Sequence, residues 1–531
     1  MKMKLKRCGL MIMSIVISCS LLFVSGCGKK QAENKYNSDY PTGEINYPIE
    51  TDVTLSYWMI LPPALSTTVS NFEETPFAKK SMENTGISIK YTHPAQGGAT
   101  EALNLLIASG ELPDIIETDV MKLNPTSAIE RNVIIELNDI IDKYCPNLKK
   151  YLSENPDIDS AIKTDDGKYY CFPFIRTEPE LLSVSGIMLR KDWLDDLGLS
   201  VPETMDEWEI VLDAFKKNKC EYPLAFNMDG LEYFSSAYGI KADFYINNDD
   251  KICFGAQEEG YKELLTRLNS WYKKGYIDPS FALFDSSIVK TSMLNGTCGV
   301  CFGTGGSGMG QYLSANPDTS KYNLAAAPYP VLNKGDKSEI GNKSLTFPSV
   351  TSVCITAQCK DPVMAARYLD YGYSEEGHML YNFGIEGESY KMEGGYPKYT
   401  DNIVKNSEGK SMSQMMGMYM RSWDGGPFVQ DVRYIEQYYG LPQQQEALKV
   451  WSNNNDEKHQ LPQITLTKDE SNELNQIMSE VRTYRSEERI KFVNGTRSLD
   501  ELDSFAKEFK KLNIDRAIEI QEDGYARYKN R

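Results

Sequence analysis

The sequence predicts an α/β protein with at least two domains, and three observations carry that prediction. Stretches with strand alternation and stretches with helical periodicity take turns along the chain, as sheets joined by helices require. The 531 residues exceed what one hydrophobic core normally serves. Apolar residues make up 41% and charged residues 25%, which fits a soluble globular body and excludes a disordered chain or a multi-span membrane protein.

Taken in order, Val53, Leu55, Tyr57 and Met59 alternate with Thr54, Ser56 and Trp58, the pattern of a half-buried strand. A helix around Thr75 to Thr85 stops at Gly86, and Ile87, Ile89 and Tyr91 form the next strand. Glu101 to Ser109 reads as a helix with Ala102, Leu105 and Leu106 on one face and Gly110 as its C-cap. Pro113 to Glu117 is a short apolar strand ending in acid. The clearest helix starts at Thr204, which forms a capping box with Glu207. Its Trp208, Val211, Leu212 and Phe215 make one buried stripe. Tyr222 to Phe226 reads as a strand, and Gly299 to Gly310 as a strand running into a glycine-rich loop. No Lys follows that loop at Walker spacing, so it is not a P-loop. Met309 stands where a nucleophile elbow needs its second Gly. Close approach of backbone to a ligand explains the glycines better. Leu502, Phe505, Ala506, Phe509 and Leu512 form a last core stripe.

Lys and Arg number 57 against 75 Asp and Glu, a formal net charge of −18. Such a surface repels phosphate backbones, and no basic patch offsets it, so no nucleic acid partner is expected. The three His (His93, His378, His459) lie far apart, and the single Cys-x-x-Cys, Cys298 to Cys301, has no second pair at zinc spacing. If that stretch is a strand its thiols point to opposite faces, and buried unpaired thiols are the preferred reading. No cofactor or metal site is assigned. The acidic loop Asn247 to Asp250 leaves Ca²⁺ open, as does the sequence the bonding of the eight cysteines beyond Cys8, Cys19 and Cys27.

Residues 1–26 read as a secretory signal, with Lys2, Lys4, Lys6 and Arg7 ahead of the uncharged run Cys8 to Val24. Val24-Ser25-Gly26-Cys27 resembles the bacterial lipobox, in which Cys27 takes a diacylglycerol and becomes the first mature residue. Residues 27–50 are polar and aperiodic and read as a lipidated, flexible tether. The expected location is the outer face of the bacterial cytoplasmic membrane, beyond the reach of ATP and NAD.

Several segments then resemble one family. They are Ala108-Ser109-Gly110-Glu111-Leu112-Pro113-Asp114-Ile115-Ile116, Asp166-Gly167-Lys168-Tyr169-Tyr170 through Pro173, and Leu189 to Leu194 with Leu197-Gly198 and Val201 to Trp208. Asp370 to Gly377, Gly384 to Glu388 and Leu499 to Tyr528 continue the series. In this order they are similar to the family 1 extracellular solute-binding lipoproteins of ABC sugar importers, in the long branch that takes oligosaccharides or aldouronates. The resemblance implies a type II periplasmic-binding-protein-like fold: two α/β lobes, hinge strands and a cleft between them. Mapped here, lobe 1 would hold 51–172 with 349–392, and lobe 2 would hold 173–348 with 393–531. Phe172 to Thr177 and Pro328 to Pro330 would be hinge segments.

Sugar binding needs aromatic platforms for the ring face together with acids, amides and Arg for the hydroxyls. Ligands of open α/β sheets sit beyond the carboxyl ends of strands. That selects Trp58 at the end of the first strand, on its polar side, and Glu117 and Asp119 after the third, which would otherwise be surface acids or caps. Phe174 and Arg176 lie at the crossing. Arg176 would suit a uronic acid, although an acid partner across the hinge is the preferred reading. Asn227 and Asp229 follow the Tyr222 strand, with Tyr233 and Phe234 near them, and Gly303 and Thr304 cap the glycine-rich strand. Trp423 sits in a loop of turn formers, a better platform than Trp208 or Trp271, and Glu386 lies in the Gly384 to Gly387 motif. The reading is a monomeric binding protein without catalysis. It closes on an oligosaccharide and delivers it to the transmembrane subunits of an ABC permease. The alternatives are an extracellular glycan-degrading enzyme, with Glu117 and Asp119 as its carboxylates, and a peptide-binding protein using Arg176 and Asp229.

Overall fold

The computed structural model describes residues 40–347, 351–407 and 409–531. The signal segment, Cys27 and the tether up to residue 39 lie outside the described residues. The first strands are β1 (Thr54–Trp58), β2 (Ser88–Thr92), β3 (Ile115–Thr118), β4 (Phe174–Ile175) and β5 (Ser185–Arg190). Next come β6 (Phe244–Ile246), β7 (Ile252–Phe254), β8 (Val300–Thr304), β9 (Leu324–Ala326) and β10 (Ser352–Ile355). The last are β11 (Tyr390–Glu393), β12 (Tyr396–Tyr399) and β13 (Phe428–Val429).

The first sheet has the order β10-β3-β1-β2, with β1 parallel to both neighbours and β10 antiparallel to β3. Parallel neighbours need crossover helices. Helix Pro76–Thr85 supplies the first, capped where Thr75 Oγ1 accepts the Ala78 amide at 3.1 Å. It ends at Gly86, whose φ of +75° is left-handed and where a Cβ would sit 2.1 Å from the Ile49 carbonyl oxygen. Helix Ala99–Ser109 supplies the second, with Gly110 as its C-cap. Its buried residue is Leu103, whereas Leu105, expected on the inner face, is exposed. A mostly parallel sheet is covered on both faces. Trp58 is therefore buried alongside Tyr57 and not on a solvated side of the strand.

The second sheet, β8-β5-β9, is antiparallel with β5 in the centre. Helix Met205–Asn218 opens with the expected Thr204–Glu207 capping box, and its Trp208, Val211, Leu212 and Phe215 join one large core. Helices Glu259–Lys273, Lys468–Asn494, Leu502–Lys511 and Ile514–Tyr528 contribute to the same core. Tyr222 to Phe226 is not a strand. Leu224 alone bridges Ile277 and Val300, after which the chain turns at Asn227 into a helix.

Between the sheets, Phe172 bridges Val353, and β4 then pairs in parallel with β13. Pro328 to Pro330 do not cross. The Ala327 amide donates to Ile187, Ser236 donates to the Pro330 carbonyl and the Val331 amide donates to Glu203, all within the body of the second sheet. A lobe boundary at 393 also meets a difficulty, because helix Met412–Tyr419 lies against Leu65, and Gln414 donates to Thr67 at 2.9 Å. Residues 40–50 are not a free tether. Arg367 donates to the carbonyls of Pro41 and Gly43 at 2.7 Å each, and Ile49 donates to Thr85. Main-chain anchoring of this kind leaves no trace in side-chain polarity. Cys298 lies outside β8 and shares a core with Cys301, so the two thiols do not face opposite sides.

Candidate functional site

β8 carries the chain to the edge of a cavity of about 630 Å³. Beyond it, Thr304 Oγ1 accepts the Gly308 amide at 3.2 Å and lies 2.7 Å from Ser307 Oγ, which fixes the loop mouth. Gly305 and Gly306 serve a different need from the one expected. A Cβ at either would strike the rings of Tyr439 and Tyr438, at 2.4 and 2.9 Å. One wall is aromatic: Tyr233 stacks on Phe302 with centroids 3.8 Å apart and planes within 3°. Asn227 caps the helix Met228–Leu231 by accepting the Gly230 amide at 2.8 Å. Asp229 meets Arg489 at 2.5 Å, and Arg489 also meets Glu232 at 2.7 Å. Asp285 and Lys290 add one charge of each sign to the lining.

A second group lies around the loop Arg421 to Gln430. Arg421 reaches Glu117 at the end of β3 (2.7 Å), and Tyr57 donates to the same carboxylate at 2.8 Å. Burial lifts the Asp424 carboxyl to about 7, with Arg421 opposing and Glu117 reinforcing the shift. Among the described residues, Arg176 Nε, Arg421 Nε, Trp423 Nε1 and Asp424 Oδ2 are buried without a hydrogen-bond partner. Buried polar groups are nearly always paired, so such a concentration of orphans asks what pairs them. Trp423 and Tyr438 pack against one hydrophobic cluster that contains Tyr434 and Tyr439, and Tyr439 and Tyr438 border Gly305 and Gly306 of the glycine loop.

The structure thus brings Asn227, Asp229, Gly303 and Thr304 together on one cavity. Arg176 and Trp423 belong to the second group. Arg176 donates weakly to the Leu181 carbonyl (3.4 Å) and lies 5.5 Å from the Phe174 ring, not against an acid across a hinge. Phe174 itself is buried against Phe428, 5.1 Å away. Glu117 is not a free carboxylate, since Arg421 and Tyr57 occupy it. Asp119 caps the turn Val120–Leu123 by accepting the Met121 amide. Those engagements leave no opposed pair of free acids at these positions for glycoside hydrolysis. Trp58 is buried in the first sheet, and Glu386 is exposed in the turn before β11, away from the cavity lining. Sequence reasoning missed Arg421, Asp424 and Gln430. The signal was present in Arg421-Ser422-Trp423-Asp424-Gly425-Gly426, where an acid and a base flank an aromatic in a glycine turn.

Among the described residues no group of three or more His, Cys, Asp or Glu could hold a metal ion. In the Asn247 to Asp250 turn, Asn247 Oδ1 accepts the Asp249 and Lys251 amides, and Asp250 is held by Lys529 and Tyr525. No helix among the described residues is long and apolar enough to cross a membrane.

Residues 66–379 match the family model described as bacterial extracellular solute-binding protein. The fructooligosaccharide ABC transporter substrate-binding protein FusA of Streptococcus pneumoniae is 24% identical over 554 aligned residues, covering 97% of both chains. Lipoprotein LipO of Bacillus subtilis is 22% identical over 402 residues, covering 72% of this chain and 74% of its own. The crystal structure of alginate-binding protein AlgQ2 without calcium ion superposes with a TM-score of 0.72 at 22% identity, covering 91% of this chain and all of the other. FusA in complex with kestose gives 0.71 at 22% identity, over 90% and 99%. At this level the likeness concerns the fold, which is mixed α/β and periplasmic-binding-protein-like.

Proposed function

The chain belongs to the bacterial extracellular solute-binding proteins, and from that premise we propose that it captures an oligosaccharide outside the cell for an ABC importer. Proteins of this family bind a solute and hand it on without catalysis. The observation that carries the reading is the mixture of orphaned buried groups: Arg176, Arg421 and Trp423 offer N–H donors, while Asp424 offers an acceptor. A hydroxyl both donates and accepts, so a polyhydroxyl ligand answers such a mixture, and leaving it unanswered is costly. In the cavity at the end of β8, the stacked Tyr233 and Phe302 supply an apolar wall suited to a sugar's C–H face.

In this reading the lobes are 51–172 with 349–392 and 173–348 with most of the remainder. The stretch 393–431 stays with lobe 1 because of its Leu65, Thr67 and Glu117 contacts. Ligand touches both lobes only when they close, and it stabilises closure by that difference in affinity. Cys27 carries the lipid anchor, the protein acts as a monomer on the outer face of the membrane, and the permease subunits read the closed rims.

Calorimetric titration with neutral and acidic oligosaccharides, and with peptides, tests the proposal. Glycan binding that weakens about tenfold in Tyr233→Ala, ~1.4 kcal/mol, is the expected result. Peptide binding alone, or release of reducing ends from the glycans, would overturn it.

A further inference from the structure

We propose that Cys171 and Cys354 form a modification site: a cross-strand thiol pair that closes to a disulfide as the exported chain folds. The argument begins with the main chain. Phe172 donates to the Val353 carbonyl at 2.7 Å and Val353 donates back to Phe172 at 3.0 Å, so these two residues form an isolated antiparallel bridge hydrogen-bonded in both directions. The residues that flank such a pair directly oppose each other as a non-hydrogen-bonded pair, whose Cα atoms come within about 4.5 Å in antiparallel geometry and whose side chains share a face. Here those residues are Cys171 and Cys354. That separation falls inside the range of roughly 4.4–6.8 Å between Cα atoms that a disulfide spans.

Both thiols are free and buried. Burial also pushes both thiols above their ordinary range, which makes them poor nucleophiles once the protein has folded. Closure therefore belongs to the folding step, outside the reducing cytoplasm, where an extracellular family member matures. The oxidant is a small disulfide. One cysteine thiolate attacks it, forms a mixed disulfide and releases one small thiolate. The second cysteine thiolate then displaces the other small thiolate, the S–S bond forms, and the two cysteine protons end on the two released thiols. Cys298 and Cys301 share a core but are not opposed across a ladder, and the ladder geometry selects neither.

The bond would fasten the crossing strand to β10 at the edge of the first sheet, so that the pivot begins at Pro173. It would also enclose β5, β8 and β9 in one covalent loop, which restricts the unfolded chain. The decisive experiment refolds the full mature wild-type chain with oxidised and reduced glutathione, alkylates it in denaturant and maps the peptides without reduction. The expected result is a peptide pair linked through Cys171 and Cys354, with six of the eight cysteines after Cys27 alkylated. Eight alkylated cysteines, or a link through any other pair, would overturn the proposal. In thermal melts, reductant should lower the wild-type midpoint by about 5 °C and leave Cys171→Ala unchanged. Equal loss in both proteins would count against the bond, and the peptide map decides the matter should the variant not fold.

Discussion

The carboxyl ends of β3 and β8 treat their polar residues in opposite ways. At β3 the protein answers its own carboxylate: Glu117 is buried, gripped by Arg421 and met by the Tyr57 hydroxyl. Around the end of β8 the polar groups hold their local structure yet still face a cavity: Thr304 fixes the glycine loop, while in the neighbouring turn Asn227 caps a helix and Asp229 is 73% exposed beside Arg489. A position just past a strand is therefore not enough to make a ligand residue. What separates the two ends is whether the partner of each polar group is another part of the same chain.

The sharpest way to break this contrast is to remove the buried carboxylate. Glu117→Ala leaves the Arg421 guanidinium charged, 4% exposed and without its acid. Breaking a buried pair from one side costs about 3–5 kcal/mol. Urea unfolding should show a loss of that size, and a loss below about 1 kcal/mol would mean that solvent or another group answers Arg421 as well.

Asp424 sharpens the comparison next, because it lies beside the answered pair and is itself unanswered. An unfolded Asp ionises near pH 3.9, whereas the folded protein keeps the Asp424 proton to about 7. Between those values the folded state binds the extra proton, so stability falls as pH rises from about 4 to about 7 and is level above that. Asp424→Asn cannot ionise. It should match the wild type near pH 3.5 and exceed it above pH 7 by on the order of 2–4 kcal/mol. Denaturation curves across pH measure this directly, and parallel curves for the two proteins would show that Asp424 is paired in solution.

The elements that were legible in the sequence are those whose cause is local. The Thr204–Glu207 box, the Gly86 and Gly110 stops and the stripe from Trp208 to Phe215 each depend on residues within a turn or two. Gly303 and Thr304 were placed by the end of a true strand, but Asn227 and Asp229 reach the same cavity without one: a single bridge from Leu224 to Val300 brings their turn beside β8. Arg421 was not legible, since its acid lies 304 residues away and no spacing joins them. Trp58 and Leu105 were misjudged for a related reason: alternation and helical phase tell which residues share a face, but the neighbouring layers decide which face is covered. The docking of residues 40–50 escaped notice because main-chain carbonyls, not side chains, receive the Arg367 guanidinium.

Asp229→Asn is the smallest perturbation and the finest test of the difference between the two ends. Its carboxylate is largely solvated, so the 2.5 Å contact with Arg489 is screened by water and counts for little in the folded state, below about 1 kcal/mol. Arg489 keeps Glu232 at 2.7 Å in any case, so no buried charge is stranded. The urea midpoint should hardly move. Glycan affinity should nevertheless fall several-fold, because a charged acceptor to a ligand hydroxyl is worth more than a neutral one. A variant that loses stability as Glu117→Ala does, with affinity intact, would put Asp229 in the same class as Glu117 and erase the distinction between the two strand ends.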